Sequence, residues 1–174
     1  MPKYELTAES KMIAGKKLFR IRALEDFGEI KKGELGGFIQ KETNLSQDGL
    51  AWVYENAAAF DDAFVYGDAK VYDRARVFEN ARVYGKASIC GYGSVFGSAE
   101  VYDDAKVMAG AMIDQKAQVF GTATISGDAW ISGEAWIFEN AKVTGGARVS
   151  GNTVVRGNAY LHDNDLARGD FEIK

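Results

Sequence analysis

A repeat of six residues runs through this chain from Ala51 onward without an insertion. One position of each repeat holds a small residue, nearly always alanine, and the position two residues later holds an aliphatic one. Ala51 and Ala57 begin the small set, and Val53 and Val65 belong to the aliphatic set, which Ala59 interrupts. A short fixed period is the signature of a solenoid, in which each unit stacks on its neighbours.

Each repeat predicts a very short strand followed by a corner. In the unit 63–68, Ala63 and Val65 point to one side of the strand, and Phe64 and Tyr66 point to the other. The last two positions are mostly Gly, Asp, Glu or Asn, which tolerate bent backbone. Three corners close a triangular coil of about 18 residues, and coils stack as parallel strands about 4.8 Å apart. The chain from residue 51 on therefore predicts about seven coils in a rod about 30 Å long.

The inward positions fit a narrow prism. No aromatic residue falls in either inward column between Ala51 and Leu161, and the one proline is Pro2. A chain whose strands donate to neighbours on both sides requires this absence of proline. The pattern weakens near the end, where Asp165 takes an inward place and Ala167 takes an aliphatic one. This change predicts a frayed or capped last coil.

Residues 65–70 (VYGDAK) and 125–130 (ISGDAW) resemble the hexapeptide repeat of left-handed parallel β-helix proteins. The period alone does not set the hand of the coil, since most parallel crossovers are right-handed; the left hand is what the resemblance implies. The residue after the aliphatic one is often Tyr or Phe here and small in that family, but it points outward. We therefore expect an all-β fold, a single-stranded left-handed parallel β-helix with a small N-terminal β cap.

The N-terminal part of the chain follows a different pattern. Residues 16–24 alternate between apolar and polar and predict a strand paired with residues 3–6 or 11–13. We interpret residues 1–45 as a β cap that leads into the first coil, and residues 46–174 as the parallel β-helix.

Several short segments near the start carry a more specific resemblance. Residues 36–39 (GGFI) and 44–47 (NLSQ) fall in phase with the later repeat, because positions 39, 45 and 51 are six apart. Together with residues 26–27 (DF), 52–54 (WVY) and 56–57 (NA), they resemble the opening of the YdcK-like group of bacterial and phage proteins. That group is assigned acyltransferase activity by analogy of fold, so the resemblance implies a fold more strongly than an activity.

Composition excludes several classes of partner. The net charge is -4, and Lys and Arg alternate with Asp and Glu, so we expect no nucleic acid polymer as a partner. No apolar stretch is long enough to span a membrane, and the first ten residues lack the apolar core of a secretion signal. Cys90 is the single cysteine, which fits a reducing compartment. We therefore expect a cytoplasmic protein without membrane contact.

Outward residues 18 positions apart stack into columns, and one column is aromatic over five coils before it reaches Arg156. Monomers rarely leave such an apolar patch open, so it predicts an oligomer interface. The predicted interface residues are Tyr66, Tyr84, Tyr102, Phe120, Phe138 and Trp136. A ladder that only stabilises stacked strands is the alternative. A closed homo-oligomer follows from the first interpretation, a trimer before a dimer.

The resemblance also implies a candidate catalytic residue. Hexapeptide-repeat acyltransferases use a histidine base, with coenzyme A in a groove between subunits, and His162 is the one histidine of this chain. Asp163 and Asp165 lie beside it, and a carboxylate can orient an imidazole. Family enzymes interrupt their coils with a loop that builds the acceptor pocket, and these coils have none. We therefore expect a non-catalytic oligomeric scaffold or binding protein without a cofactor; an acyltransferase that uses coenzyme A is the alternative.

A binding role has its own candidate residues. Grooves between subunits, lined by rings and edged by guanidinium groups, suit a small anionic, nucleotide-like ligand. The candidates for such contacts are Tyr84, Tyr102, Arg82, Arg148 and Arg156. We expect no metal site, because His162 and Cys90 lie on distant coils and are too few to hold a metal.

Overall fold

The computed structural model describes residues 2–174, and its one short helix in that range is a 3-10 turn at Glu42–Asn44. The chain begins with a hairpin of two long strands, β1 (Tyr4–Ile13) and β2 (Lys16–Ala23). β3 (Leu35–Ile39) follows and leads toward the repeats. No helix in the described part of the chain is long and apolar enough to cross a membrane.

From residue 52 onward the strands are short and recur every six residues, as the sequence predicts. They are β4 (Trp52–Val53), β5 (Ala58–Ala59), β6 (Phe64–Val65), β7 (Lys70–Val71), β8 (Arg76–Val77), β9 (Arg82–Val83), β10 (Ser88–Ile89), β11 (Ser94–Val95), β12 (Glu100–Val101), β13 (Lys106–Val107), β14 (Met112–Ile113), β15 (Gln118–Val119), β16 (Thr124–Ile125), β17 (Trp130–Ile131), β18 (Trp136–Ile137), β19 (Lys142–Val143), β20 (Arg148–Gly151), β21 (Val154–Val155), β22 (Tyr160–Leu161), β23 (Leu166–Gly169) and β24 (Glu172–Ile173).

These strands form three sheets, one on each side of a prism. Sheet 1 has the order β1-β2-β3-β5-β8-β11-β14-β17-β20-β23, sheet 2 runs from β4 to β22, and sheet 3 runs from β6 to β24. Every third strand pairs in parallel, so that Val53 aligns with Val71 and Val65 with Val83. The all-β solenoid is therefore confirmed, and the left-handed sense of its coil stays an implication of the resemblance.

The core of the prism consists of the two inward columns. Their alanine and aliphatic side chains are fully buried from Ala51 to Val155. Thr153 is the polar exception within this stretch, and its hydroxyl donates to the carbonyl of Ser150 at 2.8 Å. The hydrogen bond offsets the cost of burying a hydroxyl group, so the column continues through this position.

The first turn differs from the predicted phase. Ile39 pairs with Ala59 and Leu45 bridges to Val65, a step of 20 residues in both cases. Both residues thus stand in the aliphatic column, two residues out of phase with the later repeats, and the in-phase prediction for residues 36–47 is wrong. The extra residues lie between Leu45 and Val53, where the chain passes from the cap to the prism. With this turn added to the seven predicted coils, the solenoid has about eight turns.

The N-terminal hairpin confirms the predicted strand at residues 16–24 and uses both of its predicted partners. β1 is one continuous strand that pairs antiparallel with β2 at both ends, from Tyr4 with Ala23 to Ile13 with Lys16. The register shifts between Leu6 and Ser10, which bends the hairpin. The hairpin therefore extends sheet 1 beyond the prism, with β3 as the link.

The cap also covers the open end of the prism. Trp52 occupies an outward position of the repeat, yet its side chain is fully buried. Its ring packs edge-on against Tyr4 at 6.1 Å and Phe27 at 5.3 Å between ring centroids. The amine of Lys3 donates nearby to the carbonyl of Ala51 at 3.0 Å. These contacts close the end that would otherwise expose apolar core to water.

Several corner carboxylates tie one coil to the next. Asp73 accepts a hydrogen bond from the amide of Gly91 at 2.9 Å, and Glu139 accepts one from Gly157 at 2.7 Å. Both acids stand at left-handed corner positions, with φ of 59° and 58°. Asp61, Glu79 and Asp103 make the same contact with the following coil. These side chains therefore have a structural role at the corners.

The last coil keeps its strand pairing to the end of sheet 3. β23 pairs with β20 over four residues, and β24 pairs with β21. Asp165 is half-buried, and its carboxylate accepts a hydrogen bond from the amide of His162 at 2.9 Å. A local turn thus accommodates the polar residue that interrupts the inward column.

Candidate functional site

The outer side of sheet 3 carries a continuous stack of aromatic rings, here called the aromatic face. Parallel pairing in register places residues 18 positions apart side by side on neighbouring strands. Successive ring centroids are 4.8 to 4.9 Å apart and their planes lie within 10° of parallel. The stack consists of Tyr66, Tyr84, Tyr102, Phe120 and Phe138, all half-buried. The aromatic face also includes Trp136, which stands beside the stack.

Polar neighbours fix the hydroxyl groups of the stack. The Tyr84 hydroxyl donates to the carboxylate of Glu100 at 3.1 Å, and the Tyr102 hydroxyl donates to the side-chain oxygen of Gln118 at 3.2 Å. Burial raises the pKa of Tyr84 well above its ordinary value, and the hydrogen bond to Glu100 raises it further. Burial is also the main reason why the pKa of Tyr102 is raised. Both phenols therefore stay neutral at physiological pH.

Trp136 differs from the stacked rings in its exposure. It contacts Phe120 edge-on, with 6.5 Å between ring centroids, and 45% of its surface is open to solvent. It is therefore the most exposed ring of the aromatic face. All six predicted interface residues thus lie on one face of the rod, and their assembly stays a proposal.

The structure brings four of the five predicted ligand contacts to this same face. Tyr84 and Tyr102 lie in the stack, and Arg82 lies in the adjacent column of sheet 3, aligned with Glu100. Arg156 ends the stack, where Glu139 (3.7 Å) and Glu172 pair with its guanidinium group. These two carboxylates already neutralise its charge.

The fifth predicted contact, Arg148, lies apart from the others. It belongs to β20 of sheet 1, where it aligns with Trp130. Its guanidinium group lies over that indole ring, with 5.7 Å between the central carbon and the ring centroid. Trp130 precedes Arg148 by one coil of 18 residues, so counting along the sequence would have identified it as the neighbour.

His162 lies on sheet 2, on the third side of the prism. Its ring is exposed, and its Nδ1 atom lies 2.8 Å from a carboxylate oxygen of Asp163. The ring tilts against Tyr160, with 5.1 Å between centroids. An imidazole oriented by a carboxylate has the geometry of a general base, although water surrounds this one.

A shallow depression lies on sheet 2 near this histidine. Its volume is about 450 Å³, and it is wide open to solvent. The residues that line it are Asn140, Lys142, Thr144, Asn158 and Tyr160. Its side chains offer hydrogen bonds to a small ligand, but a depression this open does not exclude water from a reaction.

Comparison with known proteins supports the resemblance in part of the chain. A curated protein of Escherichia coli (strain K12), named uncharacterized acetyltransferase YdcK, is 39% identical to this chain over 69 residues. The match covers 34% of this chain and 21% of that protein, so the chain spans about a fifth of the length of this relative. No family model matches the chain. The match and the coiled fold together confirm the resemblance to acyltransferase-like β-helix proteins.

No cluster of three or more His, Cys, Asp or Glu side chains with metal-binding geometry occurs within residues 2–174. The acidic corners, which are the densest source of carboxylates, direct several of their oxygens to backbone amides of the next coil.

Proposed function

We propose that this protein is a non-catalytic β-helix scaffold that assembles into a homo-oligomer through its aromatic face. The observation that supports the proposal is the column of five rings, flanked by the exposed indole of Trp136. Apolar surfaces of this extent mark interaction sites more often than free surface. A symmetric trimer closes three such faces around one axis, and a dimer is the next simplest arrangement.

The arrangement of the rings limits how the subunits meet. Each inner ring already covers both of its flat sides with its neighbours, so only ring edges point outward. The five rings by themselves are therefore also explained by the alternative interpretation, a ladder that only stabilises the stacked strands. Trp136 is the residue that stacking does not account for, because nearly half of its surface stays open. Its burial by a second subunit is the specific contact that we propose.

Assembly would also create grooves at the edges of the aromatic face. Arg82 forms no ion pair in the part of the chain that the structure describes, and Glu100, which aligns with it, accepts a hydrogen bond from Tyr84, so Arg82 is free to contact an anion there. Tyr84 and Tyr102 supply ring edges and hydroxyl groups to the same region. We include a small anionic, nucleotide-like ligand in these grooves as part of the proposal. A cytoplasmic setting also belongs to it, because the single cysteine suits a reducing compartment.

The test of assembly is native mass spectrometry of the purified protein over a dilution series. We expect a discrete oligomer, a trimer before a dimer, and we expect Trp136→Glu to convert it to a monomer. Burying a carboxylate at the centre of an apolar interface makes the free energy of association less favourable by about 3 kcal/mol or more, because the charge is desolvated. Tyr160→Glu is the matched control, because Tyr160 is an exposed ring on sheet 2.

Two results would contradict this proposal. A wild-type protein that stays monomeric at every concentration would remove the basis for an interface. An oligomer that Trp136→Glu leaves intact would place the contact elsewhere on the rod. Circular dichroism of both variants separates loss of assembly from loss of folding.

The second candidate function is acyl transfer from coenzyme A. It is favoured by the similarity to a protein that is named an acetyltransferase, and by the contact between His162 and Asp163. The assay is release of free coenzyme A from acetyl-coenzyme A in the presence of amine and hydroxyl acceptors. We expect no release that depends on His162. If His162→Ala instead lowered a measured wild-type rate about 100-fold, as loss of a general base does, acyl transfer would replace the scaffold proposal.

A further inference from the structure

A second depression lies on sheet 1, away from both the aromatic face and His162. Its volume is about 340 Å³. The residues that line it are Trp130, Ser132, Arg148, Ser150, Leu166 and Arg168. Two guanidinium groups, two hydroxyl groups and an indole thus surround one space.

Strand register builds this depression from three neighbouring strands. Arg148 and Ser150 alternate outward along β20, and Arg168 of β23 aligns with Ser150. β20 and β23 each extend over four residues, whereas neighbouring strands of the solenoid have two. Arg168 occupies the same outward position in its unit as Ser150, so the two side chains lie on the same side of sheet 1. Thr153 braces this segment from inside through its hydrogen bond to Ser150.

The polar groups of the depression lack partners within the protein. Within residues 2–174, neither Arg148 nor Arg168 forms an ion pair, and the hydroxyl groups of Ser132 and Ser150 make no hydrogen bond. Arg20, Arg22 and Arg156 pair with carboxylates, whereas Arg76 and Arg82 do not within these same residues; what distinguishes Arg148 and Arg168 is that both line the same depression. Two adjacent positive charges without a counter-ion repel each other, and an anion between them reverses that cost.

The indole holds one of the arginines in a defined position. Trp130 donates its Nε1 hydrogen to a carboxylate oxygen of Asp114 at 3.1 Å, which orients the ring. Arg148 lies over that ring. A guanidinium group beside an aromatic ring is attracted to it, and its N–H groups stay available for bidentate hydrogen bonds. Such N–H groups can bind a tetrahedral oxyanion in a bidentate way.

We propose that this depression is a binding site for a phosphate monoester. A phosphate monoester carries a charge of about -1.5 to -2 at neutral pH and three acceptor oxygens. The two guanidinium groups match its charge, and Ser132 and Ser150 supply further donors. A carboxylate carries a single charge and would leave one arginine uncompensated. The site lies on a different sheet from the aromatic face, so it is independent of the proposed assembly.

Isothermal titration calorimetry of the full chain tests this site, with inorganic phosphate and adenosine monophosphate as probes and acetate as the reference anion. We expect saturable binding of both phosphate probes, tighter for the monoester, and none of acetate at the same concentration. Arg148→Gln and Arg168→Gln should each weaken binding about tenfold or more, since each removes charge-assisted hydrogen bonds. Arg76→Gln is the matched control, because Arg76 is an exposed arginine on the same sheet, four strands away.

Three results would overturn the site. One is the absence of saturable binding by either phosphate probe. Another is an affinity that Arg148→Gln and Arg168→Gln leave unchanged. The third is an equal loss in Arg76→Gln, which would indicate general charge attraction. Circular dichroism confirms that each variant is folded, and native mass spectrometry shows whether its assembly is unchanged.

Discussion

Replacing Val107 with aspartate is expected to destabilise the fold severely, whereas the same replacement at the adjacent Lys106 leaves its stability nearly unchanged. Val107 is fully buried in the inward column, with no polar group to receive a carboxylate. Lys106 points outward from the same two-residue strand and is exposed. We expect Val107→Asp to cost about 4 kcal/mol or more, because it buries an unpaired charge, and Lys106→Asp to change stability by about 0.5 kcal/mol or less.

Urea unfolding followed by circular dichroism measures both effects. The pair differs by one residue in sequence and by the side of the strand on which the charge lies. Equal losses in the two variants would mean that the alternation of inward and outward residues does not decide stability here. A cooperative transition for Val107→Asp near that of the wild type would contradict the packed prism itself.

Gly37→Ala is expected to separate the N-terminal cap from the first full coil. A β-carbon at this position would lie 2.6 Å from the carbonyl oxygen of Ala57 and 2.8 Å from that of Tyr54. Both are backbone atoms, so neither can move aside without shifting a strand. We expect a loss of about 3 kcal/mol, the upper range for an overpacked core.

Gly110→Ala is the control for this substitution. Its added β-carbon would meet a side-chain oxygen of Asp128 at 2.6 Å, and that flexible group can rotate away. We expect a change of about 0.5 kcal/mol or less there. Hydrogen exchange of the β1–β3 amides, compared with those of the central coils, reports whether the cap has loosened. Uniform protection of the cap in Gly37→Ala would show that the strand moves at little cost.

Much of the solenoid is predictable because its period is strict. Each six-residue unit has the same in-and-out alternation, so the inward columns and the parallel pairing at steps of 18 follow from counting residues. The same counting places the five stacked rings in one column. It also assigns His162 to an outward position on another sheet, where it is exposed.

The irregular parts are less predictable. The first turn is two residues longer than the repeat, which moves Ile39 and Leu45 into the aliphatic column. Trp52 stands at an outward position, but the cap packs over it and buries it. Both features depend on contacts between segments far apart in sequence, which the local period does not encode.

The sequence by itself determined the all-β coil, its inward columns and the gathering of the aromatic residues, because each six-residue unit turns the same two side chains inward. The tertiary structure decided where the end of the prism is covered, through the cap over Trp52. The step of 18 residues aligns Arg148 with Trp130, but the tertiary structure decided that these two residues and Arg168 enclose one depression. The reason is that both features depend on how side chains from segments far apart in the sequence pack against one another, which the local period does not specify.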